Sequence, residues 1–156
     1  MARIATNTSG SQPVLQISLE ANLANALTVP FLQDITVTNS TGVYSYTTFS
    51  DADMRKLSTP ADNEISTNVV LDKETWFGNS SATSGTAAYL GLSSISINKN
   101  PIYFKVYYSG VSTGTNYTTG TGFITSLAPT TSPDAPVWVS PMTVAVDGAL
   151  TNGVVP

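Results

Sequence analysis

Apolar and polar residues alternate along most of this chain, one in and one out, which is the pattern of a half-buried β-strand. In PVLQISLE (13–20), Leu15, Ile17 and Leu19 alternate with Gln16, Ser18 and Glu20. In QDITVTNS (33–40), Ile35 and Val37 alternate with Asp34, Thr36 and Thr38. The turn signal NSTG (39–42) then predicts a return strand, VYSYTTF (43–49). EISTNVVL (64–71) alternates again. PIYFKVYYSG (101–110) is the strongest strand pattern, with Ile102, Phe104, Val106 and Tyr108 on one face and Tyr103, Lys105 and Tyr107 on the other. YTTGTGFITSL (117–127) is its predicted hairpin partner, and VWVSPMTVAV (137–146) is the last strand.

The punctuation between these runs is uneven. SDADMRKL (50–57) reads as a one- or two-turn helix, with Ser50 as cap, Asp51 and Asp53 near its positive end and Arg55 and Lys56 near its negative end. STPADN (58–63) stops it. The stretch 72–94 is rich in small residues and predicts irregular structure, with a short helix near 84–91 and Trp76, Phe77, Tyr89 and Leu90 as anchors. APTTSPDAP (128–136) is a corner stiffened by three prolines. Pro141 cannot donate to a ladder and predicts an edge or a bulge in the last strand. DGALTNGVVP (147–156) reads as a turn and tail.

About seven strands, at most one or two short helices and no fixed repeat predict an all-β domain, a β-sandwich or small barrel. Composition agrees. The 156 residues suit one domain, and charged residues make up 10% against a usual figure of about a quarter. Ser, Thr, Asn and Gly fill the difference. The formal net charge is −4, and the six basic residues are scattered, which argues against binding nucleic acid through a basic patch. No apolar run approaches a membrane span, and the first residues lack an apolar export core, so the expectation is assembly in the cytoplasm.

Catalytic and metal chemistry find little footing. The chain has no cysteine and no histidine, which removes thiol catalysis and the commonest general base and metal ligand. The carboxylate pairs Asp51/Asp53, Asp62/Glu64 and Asp72/Glu74 lack the glycine and evenly spaced acids of a calcium loop. They read as solvated or helix-capping charges, so no metal, no cofactor and no enzymatic role are expected. Tyr103, Tyr107, Tyr108 and Tyr117 fall on adjacent strands. Such a row either pairs across a hairpin or stacks sugars. Trp76 and Trp138 read as core or interface anchors.

The segment YTTGTGFITSLAPTTSPDAPVWVSPMTVAVDGAL (117–150) resembles the C-terminal hairpin and final strand of phage tail tube proteins, the major tail proteins of long-tailed phages. Gly122, Phe123, Ile124, Thr125 and Ser126, then Pro129 and Pro133, then Trp138 to Val146, Gly148 and Leu150 carry the likeness. YSYTTFSDADMRKLSTPADNEISTNVVLD (44–72) is similar to the family's long connection between inner strands, through Thr47, Thr48, Phe49, Ser50, Arg55 and Lys56. Between its third strand and the C-terminal hairpin the family usually carries a helix; the counterpart here, 72–100, is rich in Gly and Ser.

The resemblance implies a structural virion protein located in the tail. Its hexameric rings would share a continuous inner β-barrel and stack into a tube that conducts DNA during ejection without binding it specifically. Tape measure, tail tip and tail terminator proteins would be partners, and no membrane would be involved. It implies an N-terminal arm (about 1–12), an inter-subunit loop (about 50–63) and a C-terminal tail (about 147–156). Ser50, Asp51, Asp53, Arg55 and Lys56 become expected ring contacts, and Asp34, Thr36, Thr38, Thr118 and Ser126 expected lumen-facing residues. A capsid decoration protein or other virion β-domain, and a carbohydrate-binding module using the tyrosine row, are the alternatives.

Overall fold

The computed structural model describes residues 12–29, 32–50, 52–79 and 88–156. The alternating runs form strands as predicted: β1 (Val14–Ser18), β3 (Leu32–Thr38), β4 (Thr41–Tyr46), β6 (Glu64–Val70), β9 (Ile102–Tyr107), β10 (Asn116–Leu127) and β12 (Ala135–Val154). Short strands β2 (Leu27–Val29), β5 (Arg55–Ala61), β7 (Gly78–Asn79), β8 (Tyr89–Leu90) and β11 (Thr130–Ser132) fill the gaps. Two short helices, α1 (Lys73–Phe77) and α2 (Leu92–Ile97), complete the described elements.

The main sheet is antiparallel, in the order β2-β1-β9-β10-β12-β6-β3, with β11 paired to the start of β12. Its edge strands are almost consecutive in sequence: Val29 ends β2 and Leu32 begins β3. Two linking residues span at most about 11 Å, whereas the edges of a flat seven-stranded sheet lie about 29 Å apart. The sheet must therefore curl until its edges approach each other. They face one another across a cleft of about 940 Å³ to which Thr28 and Val29 contribute from β2 and Leu32, Asp34 and Ile35 from β3.

Curling encloses one core. Leu15, Ile17, Ile65, Val69, Ile102, Phe104, Val106, Ile124, Met142 and Val144 are buried together, and α2 adds Leu92 and Ile95. The two glycines that mark β10 make this packing possible. A Cβ on Gly120 would lie 2.8 Å from Phe104 Cζ, and one on Gly122 would lie 2.3 Å from the Ala145 carbonyl oxygen. Gly122 thus lets two backbones close together, and Gly120 makes room for a core ring.

Several local expectations give way. Residues 55–61 form strand β5 rather than the end of a helix. Tyr44 pairs with Leu57 and Tyr46 with Arg55, and this cross-strand ladder prevails over a capping pattern too short to hold a helix alone. The stretch 72–94 is not wholly irregular: Asp72 caps α1 by accepting the Thr75 N–H at 2.7 Å. The helix expected near 84–91 is displaced to 92–97; residues 89–90 are strand, and 80–87 lie outside the described residues. The C-terminal tail is not free. Tyr117 pairs with Gly153 and Asn116 with Val154, so β12 continues to Val154 past an irregularity at Gly148, where φ is 90°. Pro141 lies inside the sheet, where the neighbour of β12 changes from β10 to β11; there the Ala128 N–H donates to Ser140 Oγ, 3.1 Å away. The predicted N-terminal arm lies outside the described residues except for Gln12.

Candidate assembly surfaces

The β4–β5 hairpin is the first surface. It leaves the main sheet between the end of β3 and the start of β6, and it forms a separate two-stranded sheet. Every residue of β5 is exposed. Its six-residue partner β4 extends roughly 20 Å at ordinary strand rise, and an eight-residue tip, 47–54, follows before β5 begins. Val43, Tyr44, Phe49, Met54 and Leu57 are all more than half exposed, Phe49 completely. An isolated two-stranded ribbon with uncovered apolar side chains is marginal in water. Such residues on a projecting arm make it a candidate contact surface.

Four of the expected contact residues sit on this arm. Ser50 is exposed in the tip, its hydroxyl 3.3 Å from that of Thr48. Asp53 is exposed beyond it, and Arg55 and Lys56 open β5 opposite Tyr46 and Ser45. Asp51 lies outside the described residues. Sequence reasoning took the charges of this segment and passed over its apolar residues. The available signal was that RKLSTPA lacks the alternation a buried face requires.

The second surface is the polar face of the main sheet, opposite the core. Registration places Thr36, Ser66, Thr143 and Ser126 side by side across β3, β6, β12 and β10. The next row is Thr38, Glu64, Ala145 and Phe123. Asp34 lies one step along β3, and its carboxylate accepts the Asn68 backbone N–H at 2.9 Å and the side-chain amide at 2.7 Å. Asp34, Thr36, Thr38 and Ser126 therefore share one face. Thr118 does not. It is 2% exposed on the core side, where its hydroxyl meets Tyr108 Oη and Asn152 Oδ1, each at 2.7 Å. The polar face of β10 is carried instead by Thr119 and Thr121, which alternate with it.

Tyr107, Tyr108 and Tyr117 are engaged within the subunit. Tyr107 and Tyr117 pair across β9 and β10 with ring centroids 5.9 Å apart, and Lys105 Nζ lies 3.6 Å from the Tyr117 ring centre. The Tyr107 hydroxyl donates to Gln16 Oε1 at 3.2 Å. A row held this way presents little open platform for a sugar. Nearer α1, burial and then the charges of Glu74 and Asp72 raise the Tyr89 phenol above its ordinary value, so it stays neutral at physiological pH. Among the described residues no group of three or more acids forms a metal cluster, and no helix is long and apolar enough to cross a membrane.

A curled antiparallel half-barrel with a projecting hairpin defines the fold class. The same fold occurs in the tail of an empty gene transfer agent particle with C6 symmetry, with a TM-score of 0.65 over 94% of this chain and 98% of that one, at 14% identity. It occurs in the SPP1 tail tube (TM-score 0.64, 94% of this chain and 78% of that one, 9% identity). It also occurs in the sheath/tube terminator of an extracellular contractile injection system in its extended state (TM-score 0.55, 97% and 99%, 11% identity). No family model matches the sequence, and no curated protein matches it.

Proposed function

We propose that this chain is the repeating subunit of a phage-type tail tube: copies join edge to edge into hexameric rings, and the rings stack into a tube that conducts DNA. The observation that carries this reading is the fold shared over nearly the whole chain with a C6-symmetric tail and a tail tube. Two features of the subunit support it. The hairpin exposes apolar residues that a single copy leaves uncovered. The polar face presents hydroxyls, with Asp34 and Glu64 as acids and the Lys105 ammonium over a tyrosine ring.

Asp34, Thr36, Thr38 and Ser126 line the lumen in this reading. A hydroxyl-rich wall whose acids Asp34 and Glu64 outnumber its one lysine, Lys105, itself held over the Tyr117 ring, gives phosphate little basic grip, so DNA slides rather than sticks. Ser50, Asp51, Asp53, Arg55 and Lys56 contact a neighbouring subunit or ring. Tape measure, tail tip and tail terminator proteins complete the assembly in the virion tail, and its role is structural rather than enzymatic.

Electron microscopy of the purified, concentrated chain tests the reading. Hollow tubes or stacked six-membered rings are expected. A single sedimenting species of monomer mass at every concentration, with no ring in any micrograph, overturns it.

A further inference from the structure

We propose that the direction in which the β4–β5 arm leaves the main sheet is fixed rather than free, and that Asn63 is the positioning residue that fixes it. The role of Asn63 in assembly rests on the tail-tube reading; the joint it forms belongs to the single subunit.

Two short breaks separate the arm from the sheet. Residues 39–40 lie between β3 and β4, and 62–63 between β5 and β6. Breaks at matching places on both strands of a ribbon would ordinarily make a hinge. Here the pairing does not slip across them. Thr38 pairs with Glu64 on one side and Thr41 with Ala61 on the other, three positions further along each strand. The arm therefore continues the β3–β6 pair in register. The Asp62 N–H donates to the Ser40 carbonyl at 3.1 Å, which keeps a ladder bond inside the break. The next bond comes from a side chain: the Ser40 N–H donates to Asn63 Oδ1 at 3.2 Å.

Asn63 holds both sides of the joint at once. Its backbone carbonyl accepts the Val146 N–H at 3.0 Å, one step beyond the Ala145–Glu64 pair, so its main chain belongs to the β6–β12 ladder. Its carboxamide reaches across to the residue before the arm begins. Asn63 is 5% exposed, so water competes little for this bond. Packing alone does not hold the angle. A cleft of about 510 Å³ opens beside the joint, between Pro60 and Ala61 of the arm and Gly148, Ala149 and Leu150 of β12. Just beyond the joint, β4 advances two positions from Thr41 to Val43 while β5 uses three, from Ala61 to Ser58. The extra residue falls at Thr59–Pro60. It bends the strand, at a place where the missing proline N–H costs no ladder bond. The bulge thus sets the bend, and Asn63 locks its base. A contact repeated between copies needs the same arm direction in every copy, and an arm already ordered loses less freedom when it is covered.

The chain has no cysteine, so a pair of spin labels can be placed cleanly. Ser58→Cys on the arm and Thr125→Cys on β10, both exposed, report the arm's direction by pulsed electron paramagnetic resonance on the dilute subunit. The wild-type background should give one narrow distance peak. Asn63→Leu keeps the bulk and leaves the Ser40 N–H without its acceptor. It should lose the narrow peak for a broad distribution while near-ultraviolet circular dichroism still reports a folded core. Asn63→Asp, which keeps an acceptor oxygen at the same place, should restore the peak. Without labels, Asn63→Leu should pellet several-fold less protein as tubes than wild type, and Asn63→Asp should pellet like wild type. A broad distribution in the wild-type background overturns the joint whether or not any variant folds. A peak in Asn63→Leu as narrow as wild type, or one in Asn63→Asp as broad as Asn63→Leu, overturns Asn63 as its lock. None of these results touches the tube reading. A broad Asn63→Leu arm with tubes as abundant as wild type overturns the positioning role in assembly. Absence of any wild-type ring or tube removes the tube reading and that role with it, while the distance peak still decides the joint.

Discussion

The main sheet and the β4–β5 hairpin are built from similar strands, yet they solve opposite problems. In the sheet, each alternating run turns its apolar side chains onto a shared core, and Leu15, Ile65, Phe104 and Val106 lose all contact with water. In the hairpin, Val43, Tyr44 and Leu57 have no such core to enter and remain more than half exposed. The sheet has a core of its own within one chain. In the proposed tube, the hairpin's uncovered side chains are the ones a neighbouring copy covers, and that difference separates folding from assembly.

Substitutions should respect that boundary. The largest effect is expected in the core. Phe104→Ala removes a fully buried ring and should cost about 3–5 kcal/mol, read as a lowered denaturant midpoint, with assembly lost because folding is lost. Gly122→Ala comes next. Its Cβ would meet the Ala145 carbonyl at 2.3 Å, so β10 and β12 must part, at a cost of roughly 1–3 kcal/mol. If thermal melting of Gly122→Ala matches wild type, the close approach of these two strands is wrong. A smaller loss is expected for Asp34→Ala on the polar face, which removes the acceptor for Asn68. The exposed site suggests about 0.5–1.5 kcal/mol, and a chemical melt resolves it.

The same boundary explains what the sequence could tell. Strands with one buried face announce themselves through alternation, and the six such runs of the main sheet all formed, while β4 followed from the turn signal at 39–42. The polar candidates Asp34, Thr36, Thr38 and Ser126 fell on one face for the same reason. Thr118 did not, because β10 turns Gly120 and Gly122 toward the core and the small polar residue between Tyr117 and Thr119 goes with them. Two glycines in a row of threonines look polar in sequence, while in the fold they are spaces filled by Phe104 and by the neighbouring backbone. Segment 55–61 was misread because a strand exposed on both faces carries no period. Only its pairing with residues 41–46 defines it, and pairing is a property of two segments. The pocket lined by Trp76 and Trp138, 62 positions apart in the numbering, was out of reach because only the pairing of β12 with β6 brings those residues to one place.

The smallest stability change should accompany one of the largest losses of assembly. Leu57 is 54% exposed on the hairpin, opposite Tyr44, so Leu57→Ser takes little packing from the subunit. Its denaturant midpoint should correspond to a change within about 0.5 kcal/mol of wild type. In the proposed tube, burying the exposed half of that side chain against a neighbouring copy contributes about 0.8–1.5 kcal/mol at each contact. The loss recurs at every subunit of a growing tube, so a modest deficit per contact translates into far fewer and shorter tubes at equal protein concentration. Sedimentation of Leu57→Ser beside wild type measures this directly. If the variant melts like wild type and also polymerises like it, the arm's apolar residues serve no neighbour, and the division between a self-sufficient sheet and an assembly-dependent hairpin does not hold.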